Sequence, residues 1–349
     1  MDKTRPGEIP PRPARPVTLR DVAREAGVHV STVSRVLNDQ ASAGRITSET
    51  EGRIKEAARS LGYRRNSVAR ALRTGRTLLV GMVVPDVANL YQAGITRGAG
   101  DVLLADGYSL ILASTDDNLD HAHSHVSAML GARAEGLLYG VARESDTVLA
   151  DAIDAGVPVV LFNRGSSQGP VSAVLPDDRM GTRLAVEHLL SLGHRKIVHV
   201  AGPEDVSSTV NRLEAFDDTL GAAGLAGLHR FSERQTEEEG ERLTRQLLDQ
   251  YPDTTAVLAG NDRLALGAID AIRASGRTCP VDVSVVGFND MPYSERFSPA
   301  LTTVRISQYD LGALAASLLL KTIVDPGRSP ETRLVAPELV VRQSTAAAR

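Results

Sequence analysis

Between residues 30 and 35 the chain sets short hydroxyls beside one long guanidinium: Val30, Ser31, Thr32, Ser34 and Arg35. Hydroxyls of this reach donate or accept at close range, and an arginine fork bonds two acceptors at once. Together they suit base edges and phosphates in a DNA major groove. Other chemistry is not spelled out. The sequence has no phosphate-binding P-loop, no Gly-x-Ser-x-Gly elbow, no His-Glu-x-x-His and no cysteine–histidine nucleophile arrangement. No catalytic residue, cofactor or enzymatic activity is therefore expected. His121, His123 and His125 come nearest to a metal cluster, but only His121 and His125 share a helical face, so no metal site is expected.

The elements that must position those side chains are legible. Residues 17–38, VTLRDVAREAGVHVSTVSRVLN, read as a helix-turn-helix. Thr18 and Asp21 have the spacing of a capping box. Val22, Ala23 and Ala26 then fall on one helical face, and Gly27 stands where a left-handed residue ends the helix. Val28 packs beneath the turn, and a second helix runs from 30 to 37. A third, from about 49 to 61, carries Ile54, Ala57, Ala58 and Leu61 at helical spacing, with Ser48 and Glu51 as its expected capping box. Gly52 inside it costs about 1 kcal/mol relative to alanine.

Charge is distributed to match. The 349 residues have a formal net charge of −4, yet residues 1–76 hold 16 Lys and Arg against 8 Asp and Glu, and the rest hold 23 against 35. A basic head on an acidic body concentrates phosphate attraction at one end. Cys279 is the single cysteine, which excludes an intramolecular disulfide framework and fits a reducing cytosol; it is read as structural. No signal-peptide core or membrane-length apolar run is present, so a cytoplasmic, nucleoid-associated protein is expected. Residues 1–16, rich in Pro and Arg, read as a disordered arm.

From residue 78 the pattern changes. LLVGMVVP, SLILAS, GLLYG, VPVVLF, KIVHVA, AVLAG and SVVGF are candidate strands separated by amphipathic helical stretches. This alternation predicts an α/β fold of parallel sheets covered on both faces.

TLRDVAREAGV and STVSRVLN resemble the signature of the lactose-repressor/galactose-repressor (LacI/GalR) family of bacterial transcriptional regulators. SETEGRIKEAARSLGYRRN (48–66), GMVVPD (81–86), GNDRLALGAIDAI (260–272), DVSVVGFND (282–290), LTTVR (301–305) and VRQST (341–345) extend the resemblance in the right order over nearly everything after residue 16. It implies an all-α helix-turn-helix domain over 17–65 and a hinge helix and linker over 66–77. The core, 78–349, would be two doubly wound, periplasmic-binding-protein-like subdomains joined by three crossovers: 78–176 plus 307–334, and 177–306 plus 335–349. Val30, Ser31 and Arg35 would read bases, with Thr18, Thr32, Ser34 and Asn38 set against phosphates. In the hinge, Asn66, Ala69 and Leu72 match family positions, and Leu72 would wedge into the minor groove. Departures include His29 where a serine usually caps the recognition helix, Glu51 where a base is usual, and Arg65 where proline is usual.

An effector is implied in the cleft where strand ends converge. Asp86, Asn89, Tyr91, Asn163, Arg164, Arg212, Asn261, Asp262, Asn289 and Gln308 match family ligand contacts. The frequent Asn-Pro-Phe-Phe is here Asn89-Leu90-Tyr91-Gln92, with Tyr91 left as the stacking face. Asn163 and Asn289 replace frequent acids beside the retained Arg164 and Arg212, so the expected effector is sugar-like and, on this charge balance, anionic. The implied function is a repressor that binds a palindromic DNA operator as a homodimer, since the chain ends without the leucine heptads of tetrameric relatives. Release by an inducer is the default, with a corepressor as the alternative. A solute-binding protein would use the same cleft but not the basic head.

Overall fold

The computed structural model describes residues 17–37, 46–63, 71, 74–143, 146–167 and 169–349. The expectations for residues 1–16, for Asn38 and for the hinge residues Asn66, Ala69 and Leu72 lie outside the described residues. The chain divides into two compact units, Met1–Thr77 and Leu78–Arg349.

In the first unit, α1 (Leu19–Glu25), α2 (Val30–Leu37) and α3 (Ser48–Ser60) surround one small core. Val22, Ala23, Val33, Val36, Ile54 and Ala57 are buried in it, in line with the helical spacing. The Thr18–Asp21 capping box forms in both directions. Past Ala26 the chain closes a Schellman turn. Gly27 has φ +64°, its N–H donates to Arg24 O, and Val28 N–H donates to Ala23 O at 3.0 Å. The start of α3 corrects the sequence reading by one residue. Thr47, not Ser48, is the cap, its Oγ1 accepting from Thr50 N–H at 3.3 Å, and Glu51 turns outward to Lys55 at 2.6 Å. Both residues can cap, so composition alone could not choose between them.

The second unit contains two six-stranded sheets. The first comprises β1 (Leu79–Val84), β2 (Ser109–Ser114), β3 (Gly136–Tyr139), β4 (Val159–Phe162), β5 (Ser172–Pro176) and β11 (Thr332–Val335), in the order β11-β5-β4-β3-β1-β2, all parallel. The second comprises β6 (Ile197–Ala201), β7 (Leu228–Phe231), β8 (Ala256–Ala259), β9 (Ser284–Asn289), β10 (Thr302–Arg305) and β12 (Glu338–Val340), in the order β12-β10-β9-β8-β6-β7. Only β12 runs antiparallel there. The chain passes from one sheet to the other after β5, after β10 and after β11. All seven candidate strands form; β5, β7, β10, β11 and β12 add to them.

Each sheet is flanked by helices: α4 (Leu90–Ala105), α5 (Leu119–Gly131), α6 (Thr147–Asp154) and α11 (Gln308–Val324) with the first, α7 (Asp178–Ser191), α8 (Ser207–Ala222), α9 (Glu237–Gln250) and α10 (Asp262–Ala274) with the second. Strands buried on both faces are near-continuous apolar runs, as β3, β4 and β8 show. Two helix pairs pack backbone to backbone. A Cβ at Gly98 of α4 would strike the Tyr309 carbonyl of α11, and one at Gly267 of α10 would strike the Glu237 carbonyl of α9. In both sheets the order reverses beside the strand that starts it, β1 and β6. A crevice opens there at the carboxyl ends of the strands.

Candidate DNA-reading surface and effector cleft

The α2 helix buries Val33 and Val36 and leaves Ser31 and Arg35 exposed, with Val30, Thr32 and Ser34 half-buried. Arg35 makes no ion pair among the described residues and is available to an outside acceptor. The unusual His29 caps the helix after all. Its Nδ1 accepts the Ser31 backbone N–H at 3.3 Å and lies 2.8 Å from Ser31 Oγ. Thr18 has a different part from the one expected. Its hydroxyl donates to Asp21 Oδ2 at 2.7 Å and accepts Asp21 N–H. The single hydroxyl hydrogen thus serves the cap and not a phosphate.

In the second unit, residues that follow the strands of both sheets line a cleft. Asp86 and Asn89 follow β1, Asp116 and Asp117 follow β2, and Asn163 and Arg164 follow β4. Across from them stand Ser208 and Arg212 of α8, Arg234, Gln235 and Thr236 before α9, Arg263 of α10 and Asn289 at the end of β9. Seven of the ten expected effector residues therefore line the cleft: Asp86, Asn89, Tyr91, Asn163, Arg164, Arg212 and Asn289.

The other three are engaged elsewhere. Asn261 is 2% exposed, caps α10 through Leu264 N–H and donates to Gln235 Oε1. Asp262 is 1% exposed and accepts from Met291 N–H and the Thr303 hydroxyl, and burial pushes its carboxyl up to about 7. Gln308 donates to the backbone oxygens of Asn289 and Asp290, tying the start of α11 to the end of β9. These are capping and crossover roles. Strand-end position is shared by caps and ligand contacts, so position alone could not separate them.

The two guanidiniums expected to give the cleft a positive potential both have carboxylate partners, while Arg234 also lines the cleft. Arg164 donates to Asp117 Oδ1 at 2.8 Å. Arg212 donates to Asp178 Oδ1 at 2.8 Å and to the Gly260 carbonyl, with its guanidinium 3.6 Å from the centre of the Phe288 ring. Burial works against the charge on Asp117, but Arg164 and then Arg143 outweigh it and hold that carboxyl below its ordinary range. Burial raises Asp178, which Arg212 partly offsets. Each retained guanidinium thus meets a carboxylate, and the asparagines at 163 and 289 do not leave it unbalanced.

Tyr91 differs from expectation too. It is buried, and its hydroxyl donates to Asn163 Oδ1 at 3.1 Å. It positions that amide and offers no open stacking face. Gln92 is the residue the sequence reading passed over. It lines the cleft, is 3% exposed, and its Oε1 has no hydrogen-bond partner among the described residues; the same holds for Oδ1 of Asn289. Buried carbonyl acceptors left unpaired are costly, and their natural complement is a ligand O–H or N–H. Asp117 and Arg263 were also missed, although each sits at a strand end or helix start beside residues that were named.

Among the described residues, two ion pairs and the Gly165–Ser207 hydrogen bond reach across the cleft. Arg143, beyond β3, holds both oxygens of Asp205, beyond β6, at 2.9 and 2.8 Å. Arg263 holds Asp86 Oδ2 at 3.0 Å while both Glu237 oxygens grip its other nitrogens. Gly165 N–H donates to Ser207 Oγ at 2.8 Å.

A three-helix head with a solvent-facing second helix, followed by paired α/β sheets around a polar cleft, defines a DNA-binding regulator with a periplasmic-binding-protein-like core. Residues 18–66 match the model for bacterial regulatory proteins of the lacI family, and residues 186–345 match a periplasmic binding protein-like domain. The chain is 31% identical to the ribose operon repressor of Halalkalibacterium halodurans over 94% of this chain and 97% of that one. It superposes on a lac repressor dimer bound to operator and the anti-inducer ONPF with a TM-score of 0.85, at 30% identity and 95% coverage of this chain and 100% of that one. A transcriptional regulator CelR–cellobiose complex gives a TM-score of 0.73 at 33% identity, with the same coverage. The chain belongs to the LacI family of DNA-binding transcriptional repressors.

Proposed function

We propose that this repressor binds a pseudo-palindromic operator as a homodimer and is released from it by a neutral, polyhydroxylated effector of the saccharide class held in the cleft. One observation carries the effector class. Gln92 Oε1 and Asn289 Oδ1 are buried acceptors without donors in a cleft whose Arg164 and Arg212 already have carboxylate partners. Such a lining calls for hydroxyl donors, and carboxylate–guanidinium pairs at its edge can exchange bonds with a polyol without burying an unmatched charge. The cellobiose bound by the related CelR is a ligand of this class. The anionic reading is set aside because no retained cleft arginine named for it is left without a carboxylate.

The dimer has its own support. The edge strand β2 exposes Ile111 and Leu112 on successive positions, so apolar side chains emerge on both faces, and Leu104 of the adjoining α4 is more exposed still. A flat apolar edge needs covering, and a second copy is a symmetric way to do so. Two heads would then occupy successive half-sites, with Val30, Ser31 and Arg35 at base edges and Thr32 and Ser34 toward phosphates. This work belongs to the compartment that holds the chromosome, the bacterial cytoplasm. Like its relatives the protein would be a regulator and not an enzyme.

Calorimetric titration with neutral mono- and disaccharides, and with the phosphorylated form of the tightest binder, tests the effector class. Tighter binding of the neutral form is expected; tighter binding of the phosphate contradicts it. Light scattering in the same buffer tests the dimer, and a monomer at micromolar concentration contradicts it.

A further inference from the structure

We propose that Ser31 reads a base amino group, adenine N6 or cytosine N4, and that His29 is the positioning residue that fixes the polarity of the contact. The proposal rests on α2 being the helix that enters the major groove.

A serine hydroxyl is ordinarily ambiguous, because its hydrogen rotates to meet whatever faces it, so it contacts donor and acceptor edges alike. Here the rotation is decided inside the protein. Ser31 backbone N–H, which can only donate, points at His29 Nδ1 at 3.3 Å. That nitrogen must therefore be the acceptor, which places the ring hydrogen on Nε2. Ser31 Oγ lies 2.8 Å from the same Nδ1. Since Nδ1 carries no hydrogen, the hydroxyl must supply the one between them. Ser31 Oγ is then left with lone pairs only, on an exposed residue of α2. A groove-facing oxygen with no hydrogen to give accepts from N6 of adenine or N4 of cytosine. It is repelled by N7 and O6 of guanine and by O4 of thymine.

The helix start and the base contact are thus one device. A serine or threonine at position 29 could also cap the helix, but its own rotating hydroxyl would not decide which way Ser31 points.

Selection from random-sequence duplexes, run with wild type and with Ser31→Ala, identifies the base pair whose preference depends on Ser31. That pair is then replaced by analogues in the wild-type site. Purine in place of adenine, or 2-pyrimidinone in place of cytosine, removes only the amino group; a 7-deazapurine removes only the N7 acceptor. The expected result is a weakening of about three- to tenfold on loss of the amino group, none on loss of N7, and no response of Ser31→Ala to either. His29→Ala should gain sensitivity to the 7-deazapurine at that pair, with unchanged preferences elsewhere in the site showing an intact head. Sensitivity of the wild type to the 7-deazapurine and not to amino removal overturns the polarity. A Ser31→Ala variant with unchanged preferences removes Ser31 from base reading. Failure of the wild type to enrich any motif contradicts the placement of α2 itself.

Discussion

Arg143 reaches across the cleft and holds both carboxylate oxygens of Asp205, at 2.9 and 2.8 Å, so the two sheets of the core are joined by a charge pair at the mouth of the site. The same guanidinium lies 3.5 Å from Asp117, which also holds Arg164. The cross-cleft pair and the cleft-lining Asp117–Arg164 pair are therefore parts of one network. Breaking the pair should loosen the closed form more than the fold.

Arg143→Ala should change thermal stability by less than about 1 kcal/mol, because Asp205 is substantially exposed and such pairs are screened. Effector affinity should nevertheless fall several-fold, and the wild-type affinity should weaken with added salt while the variant's does not. Calorimetry across a salt series checks this. Equal salt dependence in both proteins would remove the pair from closure.

Replacing Gln92 separates stability from binding. Gln92→Met removes a buried acceptor that lacks a donor, so the ligand-free protein should be as stable as wild type or about 1 kcal/mol more so. The rise in melting temperature that saccharide gives the wild type should vanish. A variant that keeps the full ligand-induced rise would show that Gln92 does not face the effector.

The buried pair of Arg212 and Asp178 makes a sharper stability prediction. Asp178→Ala leaves a guanidinium buried without its carboxylate and should cost about 3–5 kcal/mol. Removing both partners with apolar residues of similar volume should recover part of that loss. Chemical denaturation of the two single variants and the double variant measures the difference, and an additive double loss would argue against a coupled pair.

His199 sets a pH dependence. Burial pushes its imidazole down to about 4, and its Nδ1–H donates to the Leu258 carbonyl at 2.9 Å. The folded state resists protonation that the unfolded chain accepts near its ordinary value of about 6.5. The contribution of His199 is therefore complete above about 6.5 and is lost progressively as the pH falls toward 4, by up to about 3 kcal/mol. His199→Gln should flatten this limb of the stability–pH curve in denaturant titrations at pH 7 and pH 4.5. An unchanged slope would mean that the ring is protonated in the fold.

Much of the architecture was legible because it follows from periodicity and punctuation. The Thr18–Asp21 box, the Gly27 turn and the apolar face of α1 are local signals, and each formed where the residues placed it. The strands that escaped were short or sat toward sheet edges. The β7 segment, Leu228–Phe231, sets His229 and Arg230 side by side between two apolar residues, is half-buried throughout, and has no strand-like apolar run. The cleft was legible to the level of position. Seven of the ten named residues do line it, but a sequence does not say where a side chain already has a partner. Asn261, Asp262 and Gln308 turned inward to caps and crossovers. The pairing of Arg164 with Asp117, 47 residues earlier, supplies a carboxylate partner that the one-dimensional order of residues does not show.

Arg35→Ala should lower operator affinity by about 1–3 kcal/mol if its fork meets a guanine edge, and leave saccharide binding unchanged. Loss of both functions together would point to misfolding and not to readout.

The central claim is that occupancy of the cleft sets the affinity of the head for DNA. The direct test is fluorescence anisotropy with the operator recovered by selection, in the absence and presence of a saturating concentration of the saccharide that binds most tightly. A drop in operator affinity of about 5- to 150-fold, corresponding to a coupling of 1–3 kcal/mol, is expected. Operator affinity that stays the same with the cleft demonstrably filled would contradict the account.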